Sequence, residues 1–215
     1  MLNTNGNIKS KILLFLSMVL FYDLGYSQNV YVEFGLGAGI PLPPYSSTGA
    51  VDVGNAKTAV QGNVSIAYRL NEGISMGLKG IFMQNKQDGP IGPVGPFVSL
   101  LPWAVNTLLL QGELSQKIGP KVFFNLSAGP GIMFARFPNA SERISFRTVT
   151  RDNRNGSGFA LGGGAGFRFY TADNFALTTN MYLLTAKPEI NEDAYFLSQR
   201  INVLFLNVGV ILEIK

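Results

Sequence analysis

The sequence predicts an all-β protein, an eight-stranded antiparallel up-and-down transmembrane β-barrel. Three features point to it. Apolar side chains recur at every second position in eight segments, the period of a strand and not of a helix. Tight turns and long connections alternate strictly between those segments. The continuous apolar face carries no charge in any strand centre, while the opposite face is small and polar.

The first segment places Val30, Val32, Phe34, Leu36, Ala38 and Ile40 on one face and Tyr31, Glu33, Gly35, Gly37 and Gly39 on the other. The second opposes Val60, Val64, Ile66, Tyr68 and Leu70 to Gln61, Asn63, Ser65 and Arg69. The third sets Ile74, Met76, Leu78 and Phe82 against Ser75, Gly77 and Lys79. In the fourth, near 105–116, Leu108, Leu110 and Leu114 face away from Gln111, Glu113 and Ser115. The fifth, 121–135, separates Val122, Phe124, Leu126, Ile132 and Phe134 from Asn125, Ser127, Gly129 and Gly131. The sixth, 157–170, has Phe159, Leu161, Ala165, Phe167 and Phe169 against Gly162, Gly164, Gly166 and Arg168. The seventh, 174–185, has Phe175, Leu177, Met181 and Leu183 against Thr178, Asn180 and Tyr182. The last, 201–215, has Leu204, Leu206, Val208, Val210, Leu212 and Ile214 against Asn207, Gly209, Glu213 and Lys215.

The tight turns fall at 70–73, 117–120 and 171–174, and the long connections at 41–57, 86–104, 136–156 and 186–200. Short turns at one end and long loops at the other are the outer-membrane arrangement, with both termini on the periplasmic side. A Greek-key sandwich shows no such alternation. A water-soluble barrel would put its charged face outside and its apolar face within. Aromatics on the apolar face gather near both strand ends: Tyr68, Phe124, Phe169 and Phe175 by the turns, and Phe82, Phe134 and Phe159 by the loops. Such bands are expected at the two membrane–water interfaces.

Composition agrees and removes several function classes. The 215 residues are 47% hydrophobic and only 14% charged, with 25 glycines, which excludes disorder and suits one domain. Away from the N-terminus no apolar run approaches the roughly 20 residues of a membrane helix. Cysteine is absent, so no disulfide, thiolate metal site or lipidated N-terminal cysteine exists. Histidine is also absent, which removes the common zinc sites and the histidine-dependent triads and acid–base pairs. The net charge of +4 is mild and dispersed, and predicts no nucleic-acid partner. No cofactor is expected. At the N-terminus, Lys9 and Lys11 precede an apolar stretch over 12–22, and Gly25 and Ser27 place small residues just ahead of Gln28. Residues 1–27 are therefore expected to be a cleaved signal peptide and 28–215 the barrel domain.

From Val30 onward the chain resembles the eight-stranded outer-membrane β-barrel proteins of the OmpA/OmpX type, found in Gram-negative bacteria. The resemblance covers 29–215 and lies in architecture and in stretches such as 30–39 and 126–134. It implies location in the cell outer membrane, contact with its lipid and insertion by the barrel-assembly machinery. One departure is that the chain ends Glu213, Ile214, Lys215 where such barrels usually end in an aromatic residue. A peptidoglycan-binding domain after the barrel, and the anchoring role it would bring, are not expected.

The inward charges form the first candidate site: Glu33, Arg69, Lys79, Glu113, Arg168 and Glu213. An eight-stranded barrel is just wide enough for side chains to fill. Buried charges there must pair, because an unpaired one costs several kcal/mol. Glu33, Arg69, Arg168 and Glu213 are expected in a ring near the turn end, with Lys79 facing Glu113; a salt-bridged plug is the main reading and a narrow polar pore the alternative. The glycines at 162, 163, 164 and 166 have strand spacing and no following helix, so they are read as room for bulky neighbours such as Tyr182 and not as a phosphate loop. The second candidate site is the third long loop, where Arg136, Arg143, Arg147, Arg151 and Arg154 face only Glu142 and Asp152. Arginine forks suit phosphate oxygens, so contact with lipopolysaccharide is expected there beside the plainer reading of a solvated loop. The second loop carries Pro90, Pro93 and Pro96, then Phe97, Val98, Leu100, Leu101 and Trp103, an apolar density that calls for burial or a partner. The function expected is a non-catalytic structural or interaction role, with a small-solute or ion pore as the alternative. A lipid A-modifying barrel enzyme is disfavoured, since such enzymes rely on a histidine.

Overall fold

The structure, a computed structural model, describes residues 30–42, 55–56, 58–85, 87–88, 98–99, 103–137, 140–144, 147–151, 154–192, 195–198 and 200–214. Eight long strands make the barrel: β1 (Val30–Pro41), β2 (Ala59–Asn71), β3 (Ile74–Asn85), β4 (Trp103–Lys117), β5 (Val122–Phe137), β6 (Arg154–Ala172), β7 (Phe175–Ala186) and β8 (Ile201–Ile214). Each pairs antiparallel with its neighbours in sequence, and β8 returns to β1 along a ladder from Val30↔Ile214 to Pro41↔Val203. The sheet is thus closed and leaves no barrel strand with a free edge. The expected signal peptide and most of the apolar second loop lie outside the described residues.

The connections alternate as the pattern requires. At the turn end, the Gly73 amide donates to Asn71 Oδ1 at 2.9 Å, an Asx-type turn that reverses the chain between β2 and β3. The ladders slip by one residue beside two of these turns, at Arg69/Asn71 and at Tyr170/Ala172. At the loop end, short strands decorate the long connections: 140–144 pairs with 147–151, and 189–192 pairs with 195–198. β6 is longer at both ends than its hydrophobic pattern suggests, reaching 19 residues from Arg154 to Ala172.

The outward face is dominated by apolar side chains across the middle of the barrel. Leu36, Val208 and Phe159 are about two-thirds exposed, and Leu126, Leu108 and Met181 about half. Such a surface is stable only against hydrocarbon.

The inward face differs from the expectation of a polar interior throughout. Its turn-end half is polar and charged, but its loop-end half is a hydrophobic core of Ile81, Met83, Val105, Leu109, Met133, Leu184, Val203 and Phe205. In that half both faces of β3, β4, β5, β7 and β8 are apolar, as in Ile81-Phe82-Met83 and Val203-Leu204-Phe205. The lumen there is too narrow to hold bulk water, so inward apolar groups pack on one another.

Candidate functional site

Two regions gather polar chemistry: the turn-end half of the lumen and the outer rim at the loop end. In the lumen, period-two alternation aims one charged residue from each of several strands at the axis. Arg168 on β6 donates from Nη2 to Glu113 Oε1 on β4 at 2.8 Å, and both are nearly inaccessible. Glu113 Oε1 also accepts from the Tyr31 hydroxyl at 3.2 Å and from Ser115 Oγ at 3.1 Å. The Arg168 guanidinium lies 4.8 Å from the centroid of the Tyr31 ring, a cation–π contact that adds to the ion pair. Nearer the mouth, Arg69 Nη2 meets Glu213 Oε1 at 2.6 Å and donates to the Tyr170 hydroxyl at 3.0 Å. That hydroxyl in turn donates to Glu213. The mouth opens into a recess of about 730 Å³ lined by this cluster together with Lys117 and Lys121.

Glu33 and Lys79 occupy the middle of the lumen, and neither forms an ion pair among the described residues. Glu33 accepts from Asn180 Nδ2 at 2.9 Å and from the Thr178 and Ser65 hydroxyls at 3.4 Å. Lys79 does not face Glu113, as the sequence suggested. The register sets Ser75 opposite Glu113 and Leu109 opposite Lys79, and the Lys79 ammonium instead lies 4.9 Å from the Tyr182 ring centroid. Glu113 is taken by Arg168, which crosses over β5 to reach it. In place of the expected ring of four, the turn end holds two ion pairs, Arg168–Glu113 and Arg69–Glu213, linked through Tyr170, with Glu33 one layer above them.

Glycines make these crossings possible. The Tyr182 ring covers Gly162 and Gly164, where a Cβ on either would collide with it. The Asn63 amide covers Gly35 in the same way, and Gln61 bonds Asn207 beside Gly37. Several buried polar atoms, among them both amide atoms of Asn63 and the Tyr182 hydroxyl, have no protein partner. A cavity of about 10 Å³ between Glu33 and Glu113, bordered by Tyr31, Ser65 and Gln111, is close to the space of one water.

At the loop end, Arg136 extends the outward column of β5 one step beyond Phe134. It borders a recess of about 680 Å³ with Gln84, Ala104, Asn106, Asn155, Ser157 and Glu189. Its Nε is enclosed and has no protein partner. Of the other loop arginines, Arg143, Arg147 and Arg151 lie on the short strands and Arg154 opens β6, opposite Phe137. Their side chains fall outside the described residues. Composition did not single out Tyr31, Tyr170 or Asn180, which join the charged network; the signal for Tyr31 and Tyr170 was inward parity on strands carrying an inward charge, and for Asn180 inward parity alone.

Among the described residues no group of three or more acidic side chains could hold a metal. No helix is long and apolar enough to cross a membrane, which says nothing about crossing by strands. The sequence matches no family model and no curated protein. The fold, however, recurs among solved structures. Neisserial surface protein A superposes with a TM-score of 0.57 over 86% of this chain and 97% of its own, at 14% identity. A major outer membrane protein from Thermus thermophilus gives a TM-score of 0.51 over 85% of this chain and 99% of its own, at 15% identity. At such identities the likeness extends to the fold.

Proposed function

We propose that this chain, an eight-stranded transmembrane β-barrel of the outer-membrane type, is a non-catalytic structural or interaction protein whose long connections meet glycolipid or a protein partner. In this reading it is exported by a cleaved signal peptide over 1–27 and inserted by the barrel-assembly machinery. Its turn end faces the periplasm and its loop end the outside. The observation that carries the reading is the filled lumen. Two ion pairs occupy the turn-end half and a packed apolar core the other, so side chains take up the space a solute would need.

Planar-bilayer recording of the refolded chain tests this directly. The expected outcome is no steady unitary conductance, and a reproducible one would replace the scaffold with a narrow pore. Expression in a Gram-negative host should also leave the mass of lipid A unchanged; a shifted mass would mean an enzyme.

A further inference from the structure

We propose that the loop-end recess around Arg136 binds the phosphorylated headgroup of an outer-leaflet glycolipid. The proposal rests on the orientation above, in which the loop end faces the outside.

The first argument is position. On β5 the lipid-facing residues Leu126, Ile132 and Phe134 are each about half exposed, and Arg136 is the next residue on that face. Two residues of strand advance the chain by about 6.6 Å. The guanidinium therefore starts where the apolar wall stops, at the height at which a lipid's headgroup follows its acyl chains. Neighbouring strands make the same change together: Phe82 gives way to Gln84 on β3, Leu108 to Asn106 on β4, and Phe159 to Ser157 on β6.

Chemistry supplies the second argument. Arg136 borders the recess and has no ion-pair partner among the described residues, and its enclosed Nε has no acceptor. An enclosed guanidinium N–H left unpaired is costly, and a phosphate oxygen offers the matching fork. Among the described residues Glu189 is the single carboxylate on the recess, and it is itself solvent-exposed. Amide and hydroxyl groups on β3, β4 and β6 flank Arg136 on β5, and the four adjacent strands span about 14 Å at normal strand spacing. That width exceeds one phosphate and suits a phosphorylated sugar with its hydroxyls.

The test uses the full chain refolded in phosphatidylcholine vesicles and the fluorescence of Trp103, the only tryptophan, which adjoins Ala104 on the recess wall. Phosphorylated lipid A, dephosphorylated lipid A and inorganic phosphate are titrated separately. Phosphorylated lipid A should bind saturably, and Arg136→Gln should weaken it by about tenfold or more. Arg136→Lys, which keeps the charge but loses the fork, should fall between. The triple change Arg143→Gln, Arg147→Gln, Arg151→Gln should leave affinity unchanged. Should Arg136→Gln fail to refold, Asn106→Asp, which adds a repelling carboxylate to the same collar, should weaken binding likewise. Equal binding of dephosphorylated lipid A, or of inorganic phosphate alone, overturns the headgroup assignment. If the triple variant loses binding and Arg136→Gln does not, the recess proposal falls while glycolipid contact by the loops stands. If no lipid A binds at all, both fall.

Discussion

Arg168 is 2% exposed and holds its place through one carboxylate and one aromatic face. Removing Glu113 would leave that guanidinium desolvated beside Tyr31, and removing Arg168 would strand the carboxylate. Either loss should cost about 3–5 kcal/mol. Replacing both, as Arg168→Met with Glu113→Gln, should recover much of it, because an apolar filling needs no counter-charge. Urea unfolding in lipid vesicles reads the cycle; small additive effects would instead indicate a hydrated channel in which solvent screens the charges. Lys79 gives the contrasting case. Its only described partner is the Tyr182 ring, so Lys79→Met should cost under about 1 kcal/mol or stabilise the barrel in the same assay. The sequence identified the inward charges but not which would meet. Alternation fixes which face a residue lies on, whereas a contact across the lumen depends on the stagger of all eight strands, and Arg168 reaches Glu113 past an intervening strand.

Each strand presents two faces whose tolerance should differ along its length. Leu126→Arg or Val208→Arg puts a charge into hydrocarbon and should destabilise the barrel by roughly 2–4 kcal/mol near the midplane. Ser127→Arg, inward and in the polar half, should be tolerated better. Met133→Arg is also inward, but it enters the apolar core and should cost as much as the lipid-facing changes. Refolding yield and unfolding midpoint in vesicles separate these outcomes, and equal tolerance at Ser127 and Met133 would contradict a divided lumen. The strands themselves were legible because lipid on one side and crowding on the other enforce the alternation. The divided lumen was not. Where inward and outward positions are both apolar, as at Leu108-Leu109-Leu110, a period of two loses its contrast and the outward face dominates the reading. The Arg136 recess was half legible: the arginine was visible in sequence, but its place just above an aromatic column needed the end of β5.

For the molecule as a whole, orientation is the first quantity to check. Epitope tags inserted beside Gly92 or Asn153 should be labelled on intact cells, whereas one beside Asn71 should be labelled only after permeabilisation. Labelling of the Asn71 tag on intact cells would invert the barrel. The split of the lumen into a polar half and an apolar half also has an electrical meaning. A voltage applied across the membrane falls mainly where polarisability is lowest, here the segment around Leu109, Met133 and Phe205. The Arg168–Glu113 pair lies outside that segment and carries no net charge, so it would feel little of the drop. An elementary charge moved through a full 100 mV gains about 2.3 kcal/mol, and among the described residues the charge set against that segment is Lys79, opposite Leu109 and packed on the Tyr182 ring with no room to move along the lumen. Its lumen should behave as a thin capacitor in series with a wet electrode, giving a current that stays flat at either polarity.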